Sequence, residues 1–310
     1  MSRLLTVSLA ALLAAPGLLA HQKKMGPDDI GNSDPGKGVD FYSIEKEIAL
    51  GKEMAQEVER EAKIVDDPIV SEYVNRLAQN LARNSDAKVP ITAKVIDSDE
   101  VNAFALPGGF LFVNTGLIRR AGNEAELAGV LAHEIGHIAA RHGTKQATRG
   151  EIANIATIPL IFLGGWAGYG IQEAASMAIP MGFLKFSRAM EAQADHLGIE
   201  YMYKAGYDPT AFVDFFERIE TMEKRKPGTI AKIFSTHPPT AARIRLAQEE
   251  IQDDLKPLPE YVVDTSEFHA VQARLNMLEN RRKGERDDDH RPTLRRRETD
   301  DERPTLHRRD

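Results

Sequence analysis

Apolar residues recur at helical spacing in two stretches near the start of the chain. The first helix is predicted to follow Ser43, which serves as its N-cap, and to run toward Val65. The second is predicted from the Asp-Pro pair at 67–68 to about Ala82, because proline is favoured at the first helical position. The segment before them, residues 21–42, is rich in Gly, Pro, Asp and Lys and is predicted to be a linker.

The pattern then changes to alternation. Residues 91–96 predict a strand, and residues 102–113 predict a β-hairpin whose turn is Pro107-Gly108-Gly109. Asn123 is predicted to cap a long helix that runs to about His142. Because a few strands precede many helices, the predicted fold class is α+β, mainly helical with a small antiparallel sheet beside this long helix.

Three more helices are predicted in the second half of the chain. Ser187 caps the first, which ends near Ala205-Gly206; the second opens at Asp208-Pro209, and the third covers about 241–251. Beyond residue 280 the composition is dominated by charge and proline, so residues 281–310 are predicted to be a disordered tail. The folded domain is therefore predicted to span residues 43–280.

Two apolar segments bear on location. Arg3 and the apolar run Leu4–Ala15 are typical of an export signal, so residues 1–20 are predicted to be a signal peptide cleaved after Ala20, with an uncleaved anchor as the alternative. Residues 152–184 are long and apolar enough to cross a bilayer, but prolines and a Gly-Gly pair interrupt them. We expect a periplasmic or secreted protein in which 152–184 cover the active-site cleft or touch a membrane surface.

Composition argues against a nucleic-acid partner and excludes sites built from cysteine. The 310 residues are 42% hydrophobic and 28% charged, with a net charge of −7, so a sizeable core is expected and a nucleic-acid partner is not. The chain has no cysteine. Disulfides and thiolate ligands are thereby ruled out, and a zinc site must use histidine and carboxylate.

The long helix carries the sequence HEIGH at residues 133–137. Positions four apart lie one above the other on a helix, so His133 and His137 can both bind one zinc ion. Glu134 is then placed to take a proton from a zinc-bound water, as general base. The alternative is a helix with two chance histidines.

A catalytic zinc needs a third protein ligand. The best candidate is Glu191 on the helix that follows Ser187, and Asp195 on the same face is predicted to accept a hydrogen bond from the far nitrogen of a liganding histidine. An ordinary solvated acidic face is the alternative. His196 points about a hundred degrees away from Asp195 and is left out of the site.

Hydrolysis passes through a tetrahedral intermediate that carries an oxyanion, so a hydrogen-bond donor or a cation is also expected near that oxygen. His237 is the candidate donor, with Arg243 as a supporting cation, while a histidine in an ordinary turn is the alternative. An extended substrate could add as a strand to the hairpin edge, whose backbone would bind without strict sequence preference. The predicted substrate-binding residues are Asn102, Ala103, Phe104 and Ala105.

Taken together, residues 102–109, HEIGH, Ser187-Arg188 with Glu191 and Asp195, and Ser235-Thr236-His237-Pro238 resemble a known family. It is the zinc metallopeptidase family that includes HtpX, the CAAX prenyl endopeptidases and periplasmic BepA. The resemblance covers roughly residues 43–252 and implies a gluzincin-type endopeptidase with Glu191 as third ligand. It also implies that the loop histidine, His237, can occupy the open metal position and hold the enzyme latent.

Two departures limit what the resemblance implies. Several clear spanning helices, expected of HtpX and the prenyl endopeptidases, are missing, and so is the tetratricopeptide-type array that follows the protease domain in BepA. We therefore expect a zinc endopeptidase that cleaves misfolded or misassembled envelope proteins. The alternatives are a latent metalloprotease fold that acts as a chaperone or binding module, and a membrane-embedded protease that uses residues 152–184 as a hairpin.

Overall fold

The computed structural model describes residues 24–153, 186–225, 237 and 240–289. The strands are β1 (Thr92–Ile96), β2 (Ala103–Leu106) and β3 (Phe110–Asn114). The helices are α1 (Ile44–Glu61), α2 (Pro68–Arg83), α3 (Thr115–Arg120), α4 (Glu124–Ala139), α5 (His142–Ala153), α6 (Arg188–Lys204), α7 (Thr210–Arg225), α8 (Ala241–Asp253) and α9 (Ser266–Asp289). The predicted mainly helical α+β fold is confirmed.

The sheet has the strand order β1–β3–β2 and is mixed. The predicted hairpin of β2 and β3 is present and antiparallel, with Ala105 opposite Leu111. However, β1 runs parallel to β3, with Thr92 opposite Phe110, so the sheet is not purely antiparallel as expected. The chain passes from β1 to the far edge and returns through the centre, which makes the first and third strands parallel. As a result, β2 is an edge strand.

The hairpin turn is held by the first helix. Gly108 has φ 74°, which favours glycine, and a Cβ atom there would lie 2.6 Å from Cα of Ile48 in α1. Its amide donates to Oε1 of Glu47 over 3.3 Å. The helix backbone therefore lies directly against the turn and fixes the course of β2.

Helix α4, which contains HEIGH, runs through the centre of the molecule. Each of its residues is buried, and it packs against α2, α6, α7 and β2. The predicted helix extended to His142, but α4 ends at Ala139 because Arg141 takes the left-handed conformation, with φ 57°. Buried histidines and carboxylates in such a helix are costly unless they are paired or bind a metal.

Residues 24–42 have little regular structure, as their glycines and prolines predict, but they pack on the domain. Ile30 is only 2% exposed, and Ser33 N–H donates to Oδ1 of Asp86 over 2.8 Å. Nζ of Lys145 donates to the carbonyl of Pro35. Glycine and proline prevent a helix here without preventing packing, so the packed unit includes residues ahead of the predicted boundary at 43.

Helix α9 was not among the predicted helices. The Oγ1 atom of Thr265 accepts from the amide of Phe268, and the buried residues Phe268, Val271 and Leu275 follow a helical stripe against α2 and α3. This helix continues to Asp289, so the predicted start of the tail at 281 falls inside it. Apolar spacing, which is interrupted by charged residues here, is the signal that could have found it.

Three predicted segments lie wholly or largely outside the described residues. They are the signal peptide at 1–20, most of the apolar stretch at 152–184, and the tail beyond 289. Among the helices that the structure does describe, none is both long and apolar enough to cross a membrane.

Candidate metal centre

Two glycines let α4 and α6 approach closely. A Cβ atom on Gly136 would lie 2.9 Å from the carbonyl oxygen of Ala194, and one on Gly198 would lie 2.9 Å from the backbone nitrogen of His133. Contacts that short do not occur for real side chains, so any larger residue would push the helices apart. Backbone contact therefore brings the HEIGH face of α4 to the carboxylates of α6.

The three predicted ligands converge. Nε2 of His133 lies 3.1 Å from Nε2 of His137, and these nitrogens lie 3.7 Å and 3.6 Å from the two oxygens of Glu191. Tetrahedral zinc with bonds of about 2.0–2.2 Å separates its ligand atoms by about 3.3–3.6 Å. The three observed distances lie within about 0.2 Å of that range, so the three side chains approximate the edges of a zinc coordination shell.

His237 completes this cluster as a fourth donor. Its Nδ1 lies 2.7 Å from Oε1 of Glu191, and one ligand atom from each of His133, His137, Glu191 and His237 lies within 4.8 Å of the others. Nε2 of His237 is buried and, within the described residues, makes no hydrogen bond; it lies 3.8 Å from Oε1 of Glu134. An unpaired buried nitrogen beside three convergent donors fits a cation better than an apolar interior.

Glu134 joins this cluster to the edge strand. Its Oε2 accepts the amide of Ala105 in β2 over 3.0 Å. Burial raises the pKa of Glu134, and the nearby His237 and His133 offset part of that rise. The carboxylate thus lies between the ligand cluster and the strand edge, where a general base is required.

The side chains that contact His133 on the side away from the ligand cluster are charged. Nδ1 of His133 lies 3.0 Å from Oδ1 of Asp195, and Arg243 donates to both oxygens of Asp195 over 2.6 and 2.7 Å. Burial alone would raise the pKa of Asp195, but these bonds to Arg243 and the contact with His133 lower it. Arg243 also lies 3.0 Å from Oε2 of Glu191 and donates to the carbonyl of His237. It therefore holds carboxylates rather than facing open cleft as a free cation.

Behind His137 the support is neutral. Nδ1 of His137 lies 2.8 Å from Nδ1 of His142, and Nε2 of His142 lies 3.2 Å from Oε1 of Gln193. Burial lowers the pKa of His137, and it lowers the pKa of His142 to about 4. Phe186 stacks on His137 with ring centroids 4.3 Å apart. Neither His142 nor Gln193 was predicted as a site residue, although His142 follows the HEIGH helix directly.

The predicted substrate-binding residues lie on β2, but they differ in what they can contribute. Ala103 and Phe104 are buried, and the Phe104 ring stacks on Phe112 at 5.2 Å within a core cluster that includes residues of α1. Ala105 reaches the cluster through its amide, which donates to Glu134. Asn102 lies just before the strand, with its carbonyl bonded to the amide of Asn114. The side chains of Ala103, Phe104 and Ala105 are therefore held in the protein interior.

An apolar wall adjoins the cluster on the side of α7. A small cavity of about 10 Å³ is lined by His133, Glu134, His237 and Arg243 together with Val130, Phe212, Phe215 and Phe216. His196, which sequence analysis left out, lies outside it: its Nδ1 is 2.8 Å from Oε1 of Glu250 at the surface. The site thus has a polar floor and an aromatic side.

Comparison with known proteins identifies the family. The model of peptidase family M48 matches residues 68–251, which include HEIGH, Glu191, Asp195, His237 and Arg243. The chain belongs to peptidase family M48. The resemblance expected from the motifs is confirmed, and the three convergent ligands lie within the matched range.

Individual M48 relatives are similar over most of this chain. Beta-barrel assembly-enhancing protease of Yersinia pestis is 28% identical over 83% of the chain, and its counterpart in Escherichia coli strain K12 is 29% identical over 75%. Mitochondrial metalloendopeptidase OMA1 of Schizosaccharomyces pombe is 34% identical over 57%. The chain spans about half the length of these relatives, 53%, 48% and 52% respectively.

Proposed function

We propose that the protein is a zinc-dependent endopeptidase whose metal is held by His133, His137 and Glu191. The observation that carries this proposal is the convergence of these three ligands beside Glu134. Zinc in such a site polarises the scissile carbonyl and lowers the pKa of the attacking water to about 7. Family membership supports the class of reaction.

The protein's own residues then divide the work. Glu134 takes the proton from the attacking water and returns it to the leaving amine. An extended substrate adds along the edge of β2, where backbone groups bind it without strict sequence preference. Ala105 already presents its amide to Glu134, so substrate and general base meet at one point of this edge.

His237 can serve this reaction in two ways. As an oxyanion donor it would stabilise the tetrahedral intermediate; as a latch it would occupy the open metal position and restrain activity. Its placement among the ligand atoms, 2.7 Å from Glu191, favours the latch. His237→Ala should then raise the rate of proteolysis, and a fall would assign the donor role instead.

We further propose that the substrates are misfolded or misassembled proteins of the cell envelope, in a periplasmic or secreted setting. The export-signal pattern at residues 1–20 supports the location, and two relatives are named beta-barrel assembly-enhancing proteases. Peripheral membrane contact through 152–184 belongs to the same proposal. Nucleic acid is not an expected partner, given the net charge of −7.

The rival function is a chaperone or binding module whose metal site is latent. The position of His237 in the ligand cluster favours latency. Against a pure binding role stands Glu134, because a binding module needs no base beside its metal. The two functions differ in whether Glu134 is required.

The deciding experiment compares the wild type with Glu134→Gln in zinc content and in degradation of casein. We expect about one zinc ion per chain in both proteins and a loss of activity of about 10²–10⁴-fold in the variant. Glu191→Ala should lose the metal in addition to the activity. Undiminished cleavage by Glu134→Gln would overturn the assigned base, and full zinc occupancy in Glu191→Ala would overturn the third ligand.

A further inference from the structure

We propose that His142 and Gln193 are positioning residues that fix the ring tautomer of the metal ligand His137. This inference rests on the proposed zinc site and adds residues to it. An imidazole binds zinc through a nitrogen that carries no proton, so the other nitrogen must carry one and needs an acceptor. For His133 the nearest acceptor is Oδ1 of Asp195, 3.0 Å from Nδ1. No carboxylate takes this place behind His137 in the described residues, and His142 takes it.

The direction of the chain of hydrogen bonds follows from its outer end. Nε2 of Gln193 donates to the backbone carbonyl of Pro35 over 3.4 Å. A carbonyl can only accept, so this contact places the NH₂ group of the amide toward Pro35 and its oxygen toward His142. Oε1 of Gln193 is therefore an acceptor facing Nε2 of His142, at 3.2 Å.

The remaining protons are then determined. Because Oε1 of Gln193 cannot donate, Nε2 of His142 carries a proton, and in the neutral ring its Nδ1 is an acceptor. That Nδ1 lies 2.8 Å from Nδ1 of His137, which must donate to it. Nε2 of His137 is left with a lone pair, directed at His133 and Glu191 over 3.1 and 3.6 Å. This is the tautomer that a zinc ligand requires.

The two imidazole rings in this chain of bonds are protected from water, whereas Gln193 at its outer end is partly exposed. His142 is 1% exposed and His137 is 3% exposed. Phe186 covers both rings, with centroids 4.3 Å from His137 and 5.8 Å from His142. A water molecule can donate or accept, so its exclusion leaves the order of donors and acceptors to the protein.

Matched substitutions at His142 test the proposal. Oδ1 of asparagine lies near the position of a histidine Nδ1, whereas glutamine extends its amide toward the position of Nε2. We therefore expect His142→Asn to retain most of the zinc affinity and His142→Gln to lose about 10–100-fold, measured by competition with a chromogenic chelator. Gln193→Leu should lose affinity by a smaller factor. His196→Ala, on the outer side of α6, is the control, and its zinc affinity should match that of the wild type.

A second measurement reports the tautomer directly. Two-bond ¹H–¹⁵N spectra of metal-free protein labelled at histidine should show His137 protonated at Nδ1 in the wild type and in His142→Asn. The spectrum of His142→Gln should lose that preference, a change that general destabilisation does not produce. Equal zinc affinity in the two His142 variants, or protonation of His137 at Nε2 in the wild type, would overturn the inference. Absence of zinc binding by the wild type would instead overturn the proposed function.

Discussion

The two histidines of HEIGH are held from behind in different ways. His133 faces Asp195, whose carboxylate is bonded at both oxygens to Arg243. His137 faces His142 and, through it, the side chain of Gln193. The first support consists of buried charges and the second of neutral groups. One turn of one helix therefore carries two proposed ligands whose supports should fail differently.

The difference has an electrostatic reason. The buried site already holds three negatively charged groups, the carboxylates of Glu134, Glu191 and Asp195. Among the described residues that contact them, the guanidinium of Arg243 supplies one positive charge. Another carboxylate behind His137 would add an uncompensated buried charge, which is costly. A neutral imidazole supplies the acceptor without that cost. Removing one partner of the charged support should therefore cost much stability, whereas the neutral support mainly sets orientation.

The largest expected effect comes from breaking the charged support. Asp195→Ala leaves buried Arg243 without its bidentate partner and with Glu191, 3.0 Å away, as its remaining counter-charge, so the free energy of unfolding should fall by up to about 3–5 kcal/mol. His142→Ala removes hydrogen bonds between neutral groups and should cost about 1–3 kcal/mol. Urea unfolding of both variants without metal measures the contrast.

The double variant Asp195→Leu with Arg243→Met is the matched control. Replacing both partners removes the guanidinium that had lost its bidentate partner, so this protein should be more stable than Asp195→Ala while still binding zinc weakly. Equal stability losses in Asp195→Ala and His142→Ala would mean that the two supports do not differ as proposed.

A smaller effect is expected from moving the two helices apart. A methyl group in Gly198→Ala would meet the backbone of His133 at 2.9 Å, so α6 must shift away from α4. Overpacking of this kind costs about 1–3 kcal/mol, and the shift should weaken zinc binding by pulling Glu191 and Asp195 from the histidines. Ala192→Val, exposed on α6, should leave zinc affinity unchanged. Isothermal titration of both variants provides the comparison.

The Asp195 part of the charged support was predicted from rules of local spacing, whereas Arg243 was predicted to assist the oxyanion and its bonds to Asp195 were not expected. His133 and His137 are four apart, as are Glu191 and Asp195, and helical periodicity places each pair on one face. Helix caps were equally readable: the side chains of Asn123 and Ser187 accept from the amides three residues on, as predicted.

The neutral support was missed because it depends on contacts without a spacing rule. The left-handed Arg141 turns the chain after α4 and starts α5 at His142, a change of direction that apolar periodicity does not predict. Pro35 lies far away in sequence, in a segment predicted to be a linker, yet its carbonyl accepts from Gln193. Likewise, the parallel pairing of β1 with β3 is set by tertiary packing rather than by alternation within either strand.

The smallest predicted effect tests whether the charged support ends at Asp195. The next residue, His196, hydrogen-bonds Glu250, which raises its pKa to about 9 from the usual 6.5 against the opposing effect of burial; Glu200 and Asp254 add to the rise. The folded protein thus holds this proton more tightly than the unfolded chain, so the stabilisation is complete below pH 6.5 and disappears as the pH rises through about 9.

His196→Ala should therefore be less stable than the wild type at pH 6.5, and the difference should vanish above about pH 9. Because the side chain is 48% exposed and screened by solvent, we expect less than about 1 kcal/mol. Urea unfolding at low salt across this pH range measures the difference, and a constant offset would contradict the assignment. Zinc affinity should stay unchanged throughout, because His196 points out of the site while its neighbour Asp195 points in. A loss of zinc affinity would mean that His196, at the surface, also belongs to the charged support. The contrast between His133 and His137 would then be weaker.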